Sequence, residues 1–490
     1  MGDGTGILFE TNSEDAAIKE NKKDAAIKGI SKEATITAGK YATINLKRIL
    51  IISPNFPPVN TADMQRIRQT LPYLADLGWE PVIITVDEKY ADPYSTDDLL
   101  MQTIPANTEI HRVKAWNVRT TRKFGLGSLA MRSYFFIQKK GDELLKNRHF
   151  DLIYFSTTAF HVMALGPRWK KKFGVPFILD IQDPWRSDFY LDKPKSERPP
   201  KFFVSYNIDK YLEAKTVPQA DGIISVSKGY CDTFLNRYPV LKEEQFRVIP
   251  FGASAHDFGI MKQFVPQSQR VKLKSDKRNI VYVGRGGHDM RFALEIIFNA
   301  FRKGLEMDPA TFGNFHLWFI GTSYATQGMG NKTIEPVAKK FELQEFVTEV
   351  PDRIPYFETL FLLDKADMLL VPGSTDESYT ASKIYPYVLA GRPLLAVFYK
   401  NSSVVTLFQN THCGKIVQFD HTVLHPADYS DECLGYMKEL LHAGSAAILP
   451  EASAFRPYTA ESRAGEQVGF FNDIVSRTNI VNRTKERKIQ

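Results

Sequence analysis

The residues of this chain best suited to chemistry fall in short clusters, each at the end of an apolar run. Asn55 and Asn60 follow "RILII", with Arg66 and Arg68 close behind. Ser156, Thr157, Thr158 and His161 close the run "DLIYFS". "DIQDPWRSD" carries Asp180, Asp183, Trp185 and Arg186. "GRGGHDMR" carries Gly284, Arg285, Gly286, His288 and Arg291, and "PGSTDESYTASK" carries Asp376, Glu377, Ser382 and Lys383. Lys383 has the most legible chemistry. In "SKIYPYVLAGRPLLAV" it begins a short helical pattern. Ser382 is placed to cap that helix, Gly391 to end it in a left-handed residue and Pro393 to bar its continuation. A lysine at the positive end of a helix dipole attracts anions. Each residue also has a plain structural use. His161 suits a helix start with a satisfied ring, Asp183 before Pro184 suits a turn, and Arg285 and Lys383 suit solvated surface positions.

These clusters need elements to hold them. "KRILII" reads as a buried strand, the segment from Thr61 to Gly78 as a helix, and "PVIITV" as the next strand. Strand, helix and strand at this spacing form a parallel βαβ unit. The pattern recurs through "DLIYFS", "PFILDI", "ADGIISVS" and "FRVIPFG". It starts again at "NIVYVGRGG" and continues through "FHLWFIGT", "FVTEVP", "DMLLVPG", "PLLAVF" and "GKIVQF". The expectation is an α/β protein of two Rossmann-like, doubly wound domains facing a cleft. In such sheets ligands bind beyond the carboxyl ends of the strands, so the clusters from both halves converge on that cleft. The expected division is an N-terminal arm at 1–46 without order, a first domain at 47–265 and a linker at 266–278. A second domain follows at 279–455, then a helical segment at 456–478 and a basic tail at 479–490. The arm holds an imperfect duplication, "DAAIKENKK" followed by "DAAIKGISK". It has too few large apolar residues for a core of its own.

Composition excludes several classes. The 490 residues are 43% hydrophobic and 24% charged, as in ordinary globular chains. Three scattered cysteines rule out a disulfide framework and fit a reducing, cytoplasmic compartment. No secretory leader and no spanning segment are evident. Gly-x-Gly-x-x-Gly after a strand, a P-loop lysine, His-Glu-x-x-His and a nucleophile elbow are all missing. The net charge of +7 suits a phosphate-bearing partner. Much of it lies between Arg112 and Lys172, where fourteen Lys and Arg face three acidic residues among interleaved aromatics. That pattern suits an anionic membrane surface.

Taken together, "SPNFPPVNTADMQRIRQTLPYLADLGWEPVIITV", "ILDIQDPW", "ADGIISVS" with "VIPFG", "IVYVGR", "ADMLLVPG" and above all "SKIYPYVLAGRPLLAV" resemble glycosyltransferase family four, retaining enzymes of the GT-B fold. The resemblance spans about residues 47 to 478. It implies a nucleotide-diphosphate sugar held by the second domain, with Arg285 and Lys383 on the diphosphate. Gly284, Gly286, Arg291 and Ser382 would complete the donor site, and Glu377 would stand beside Lys383 and Arg285 in catalysis. Asn60, Arg66, His161 and Asp183 of the first domain would meet a saccharide or lipid-linked saccharide acceptor. No cofactor, no metal and no nucleic acid are implied. The chain departs from the family in three places. The second glutamate of the family's pair is Pro386, and the first falls at Ser378, one residue from Glu377. The second cation's position is Met290, next to Arg291. Thr61 and Ala62 stand where the family has two glycines. A GT-B nucleotide-sugar epimerase and a non-catalytic nucleotide-sugar binder are the alternative readings.

Overall fold

The computed structural model describes residues 46–489, except 92–95, 125–126, 189, 200, 265–268, 326–327, 377–382, 424 and 443–449. Two fully parallel sheets form the two halves. The first runs β3-β2-β1-β4-β5-β6-β7, with β1 Lys47–Ile52, β2 Trp79–Val86, β3 Glu109–Val113, β4 Leu152–Ser156, β5 Phe177–Ile181, β6 Gly222–Ser225 and β7 Phe246–Val248. The second runs β10-β9-β8-β11-β12-β13, with β8 Arg278–Val283, β9 Phe315–Ile320, β10 Val347–Val350, β11 Met368–Pro372, β12 Leu394–Tyr399 and β13 Lys415–Phe419. Strands covered on both faces read as continuous apolar runs, and every residue of β4, β5, β9 and β12 is buried. Period-two alternation divides the first sheet's core. Leu50, Ile52, Val82 and Phe155 pack on one face; Ile49, Ile51, Ile83 and Tyr154 pack on the other. The strand order reverses between β1 and β4 and again between β8 and β11. The loops leaving those four strands open into crevices and carry four of the five polar clusters named above, the fifth following β5.

Two connections bind the halves. After β7, within the stretch assigned to the first domain, helix Ala255–Gln263 forms and buries Phe258, Ile260 and Met261. Its pattern is short and its polar flanks mask it in sequence; packing against helix Tyr356–Lys365 supplies what propensity does not. Asp257 of this linker helix accepts two bonds from the Arg68 guanidinium, at 2.8 and 2.7 Å, and one from the Tyr356 hydroxyl at 2.7 Å. Across the same junction the Phe357 amide donates to Asp97 at 2.9 Å. The second connection is the final helix, Ala460–Ile489, which extends without a break through the expected basic tail. It returns to the first sheet, where Phe471 sets its ring edge-on to Tyr154 at 5.0 Å and Trp79 at 5.7 Å.

Candidate active site

Between the halves lies a cavity of about 240 Å³. The first domain contributes Asn60, Thr61, Gln65 and Phe251. The second contributes Gly284, Arg353, Ile354, Leu363, Lys383 and Pro386. The β8 loop is shaped by backbone closeness. The Gly284 amide donates to the Ile320 carbonyl at 2.8 Å, and the Tyr282 hydroxyl to the Arg285 carbonyl at 2.9 Å. A Cβ on Gly284 would lie 2.5 Å from that hydroxyl oxygen, so only glycine fits there. Arg285 is then aimed by a bidentate pair with Asp289, 2.9 Å on the Nη1 side. Ser374, in the loop after β11, donates to the same carboxylate, and the Thr375 amide donates to the Asp289 carbonyl at 2.9 Å. Burial works against charge on Asp289, but Arg285 and Ser374 outweigh it and hold its carboxyl below the usual range.

Lys383 sits at the start of helix Ile384–Ala390, in helical backbone geometry, and Gly391 ends that helix at a φ of 61°. Solvent reaches the lysine at the rim of the cleft, yet protein surrounds most of it. That desolvation, with the neighbouring charges of Arg353 and Arg285, lowers its pKa to about 8. The guanidinium of Arg353, from the loop after β10, lies 5.1 Å from the centre of the Tyr324 ring. Arg353 and Lys383 thus form one cationic end of a cavity whose walls are mostly apolar, and the charge of Arg285 bears on Lys383 from behind that lining. An anion with more than one charge would relieve their mutual repulsion.

Across the cleft the expected acceptor residues part ways. Asn60 lines the cavity, as does Thr61, whose buried hydroxyl oxygen has no partner. Arg66 does not face the cavity. It is 2% exposed, its Nε lies 2.8 Å from Asp180, its Nη2 donates to the Ile249 carbonyl at 2.7 Å, and it stacks on Phe251. The expectation of an acceptor contact there is corrected: a buried guanidinium needs paired charge, and Asp180 supplies it. His161 pairs with Asp209 at 2.9 Å and fits its structural reading. Asp183 stands exposed after β5, and its carboxyl is raised by the protein around it and then by Asp63. Tyr230 of the first domain is raised by burial, then by Asp183 and by Asp376 of the second, so acidic charge from both halves bears on its hydroxyl.

Arg291 also departs from expectation. Beside buried Met290, it pairs with Glu295 at 2.6 Å on the exposed side of its own helix. Arg353 brings a charge to the site from another strand. Sequence reading passed over Arg353, although "EVPDRIP" puts it just after a strand, the same signal that marked the other clusters. Glu377 and Ser382 lie outside the described residues. Among the described residues no group of three or more His, Cys, Asp or Glu side chains is placed to hold a metal ion.

Residues 65–255 match the sequence model of Glycosyltransferase Family 4. No curated protein sequence matches the chain. Among solved structures, Anabaena Alr3699/HepE in complex with UDP superposes with a TM-score of 0.50 at 14% identity, over 87% of this chain and 100% of that one. A UDP-forming α,α-trehalose-phosphate synthase from Burkholderia vietnamiensis gives 0.55 at 10% identity, over 89% and 99%. One from Burkholderia xenovorans, in complex with glucose-6-phosphate, gives 0.52 at 11% identity, over 87% and 99%. The two facing sheets are therefore those of the GT-B fold, and the first domain carries the family-four pattern that its motifs suggest.

Proposed function

We propose that this protein transfers a sugar from a nucleotide-diphosphate donor to the hydroxyl of a saccharide, free or lipid-linked, with retention at the anomeric carbon. The observation that carries the reading is the cationic end of the interdomain cavity, where Arg353 and Lys383 line a space open to the first domain and the charge of Arg285 bears on Lys383. A departing diphosphate gains one further negative charge on its leaving oxygen, and preorganised cations in a partly dry cleft meet it without reorganisation. Those three side chains supply the charge stabilisation, so activity is expected to persist in excess chelator. The sugar would lie between the cations and Asn60, with the acceptor hydroxyl arriving from the side of Asp183. The leaving phosphate would take the acceptor's proton on the same face. The match of the first domain to family four and the likeness to a protein solved with UDP support this assignment.

A second reading has its own observation. Pro386 lines the cavity where a carboxylate would otherwise meet a ribose, which favours a binder of nucleotide sugars without turnover. One experiment separates the readings. Nucleotide sugars are screened by thermal shift, and those that raise the melting temperature are incubated with and without saccharide acceptors. Transfer predicts a new glycoside, formed only with acceptor, whose anomeric configuration by NMR is that of the donor. Donor conversion without acceptor would indicate an epimerase, and stabilisation without any product would indicate the binder. A lipid-linked acceptor would make the protein a peripheral component at the cytoplasmic face of a membrane, no described helix being long and apolar enough to cross one.

A further inference from the structure

We infer that the surface built by residues 114–123 and 127–139 of the first domain docks on an anionic lipid bilayer. Between Glu109 and Asp142 the chain has eight Lys and Arg and no acidic residue. The fold divides these cations into two sets. Arg132 is buried and donates to the carbonyls of Gly127, Tyr90 and Trp116 at 3.2, 3.0 and 3.0 Å. Arg112 pairs with Glu88 and Lys140 with Glu143. Lys114, Arg119, Arg122 and Lys123 remain exposed and form no ion pair among the described residues, while exposed Lys139 has Glu143 one turn away. A surface that leaves four cations close in sequence without ion pairs repels itself unless an anionic partner covers it.

Aromatic display distinguishes a bilayer from a soluble polyanion. Trp116 is 39% exposed and Phe135, on helix Leu129–Asn147, is 58% exposed, with their rings 5.4 Å apart. Buried Arg132 fixes this pair, because its backbone carbonyl accepts from the Trp116 amide at 3.1 Å while its side chain holds the Trp116 carbonyl. Lys139 stands one turn from Phe135 on the same helix face, where its stem can lie along apolar surface with its ammonium at phosphate level. An exposed indole beside cations suits the headgroup boundary, and apolar exposure of this kind serves no purpose toward a free polyanion. The surface is argued from the first domain alone and stands whether or not the cleft transfers sugar.

The test uses the full chain with phosphatidylcholine vesicles, with or without about a third of the lipid as phosphatidylglycerol. Co-sedimentation should require the anionic lipid and should fall as salt shortens the Debye length to roughly 8 Å and below. Combined Arg119→Glu, Arg122→Glu and Lys123→Glu should weaken vesicle binding at least on the order of 100-fold, at roughly fivefold per cation removed. Trp116→Ala with Phe135→Ala should weaken vesicle binding while leaving retention on a heparin column unchanged. Brominated acyl chains should quench fluorescence in the wild type and less so in Trp116→Phe. Failure of the wild type to sediment with anionic vesicles at low salt would overturn the proposal. So would an aromatic double variant that binds vesicles as well as the wild type, which would leave a polyanion-binding surface instead.

Discussion

Lys383 shows how one side chain can be tuned by what stands around it. Its ammonium is held at a pKa of about 8 by desolvation and by Arg353 and Arg285. In the empty cleft it is charged below that pH and neutral above it. Bound diphosphate favours the charged form, so donor binding above pH 8 must take up a proton and weakens as the pH rises. The kcat/KM profile should therefore fall on an alkaline limb near pH 8, and Lys383→Arg should move that limb upward, because guanidinium does not titrate there. Lys383→Ala should lower kcat/KM by about 100-fold with little change in melting temperature. Arg353→Ala should lower it by at least about tenfold while relieving the depression of Lys383. A pH profile of Arg353→Ala identical to that of the wild type would separate Arg353 from the site.

At the scale of elements, the junction between the halves rests on a buried ion pair with a third partner. Burial works against the charge of Asp257, yet Arg68 and Tyr356 keep its carboxyl below the usual range. A carboxyl depressed in the folded state contributes stability that is full at neutral pH and fades as the pH falls through its folded pKa. Arg68→Ala leaves that carboxylate buried without its cation and should cost about 3–5 kcal/mol in denaturant unfolding. Its deficit relative to the wild type should narrow on acidification, as Asp257 takes up a proton. The same lesion should raise KM for donor and acceptor together, since helix Tyr356–Lys365 lines the cavity through Tyr356 and Leu363.

The whole molecule is closed by a chain that crosses twice. The final helix leaves the second half and covers the first sheet with Phe470, Phe471, Ile474 and Val475, all buried. Phe471 fills the space between Trp79 and Tyr154, so Phe471→Ala should cost about 3–5 kcal/mol and lower the first unfolding transition in calorimetry more than the second. The cleft depends on this closure. Its cations come from one half, while Asn60, Thr61 and Gln65 come from the other. A separately expressed second half is accordingly expected to lack transfer activity even where it binds a nucleotide diphosphate.

The sequence alone determined the two α/β halves, because strands buried on both faces must be apolar along their whole length, as in β4 and β12. It also drew attention to Arg285, just past a strand, to Lys383, at the head of a helix, and to Gly391, where that helix needs a left-handed stop. Pairing and aim were decided by the tertiary structure. Arg66, Arg68 and Arg132 look like surface cations in sequence, and each is buried by a partner far along the chain or by backbone carbonyls of packed loops. Arg291 stood beside the expected position and turned outward to Glu295, while Arg353 reached the site from the loop after an expected strand, where sequence reading had singled out no residue. The physical reason is the same in each case. Local pattern reports which face of an element is apolar, but the partner of a charge is set by what the fold brings within hydrogen-bond distance.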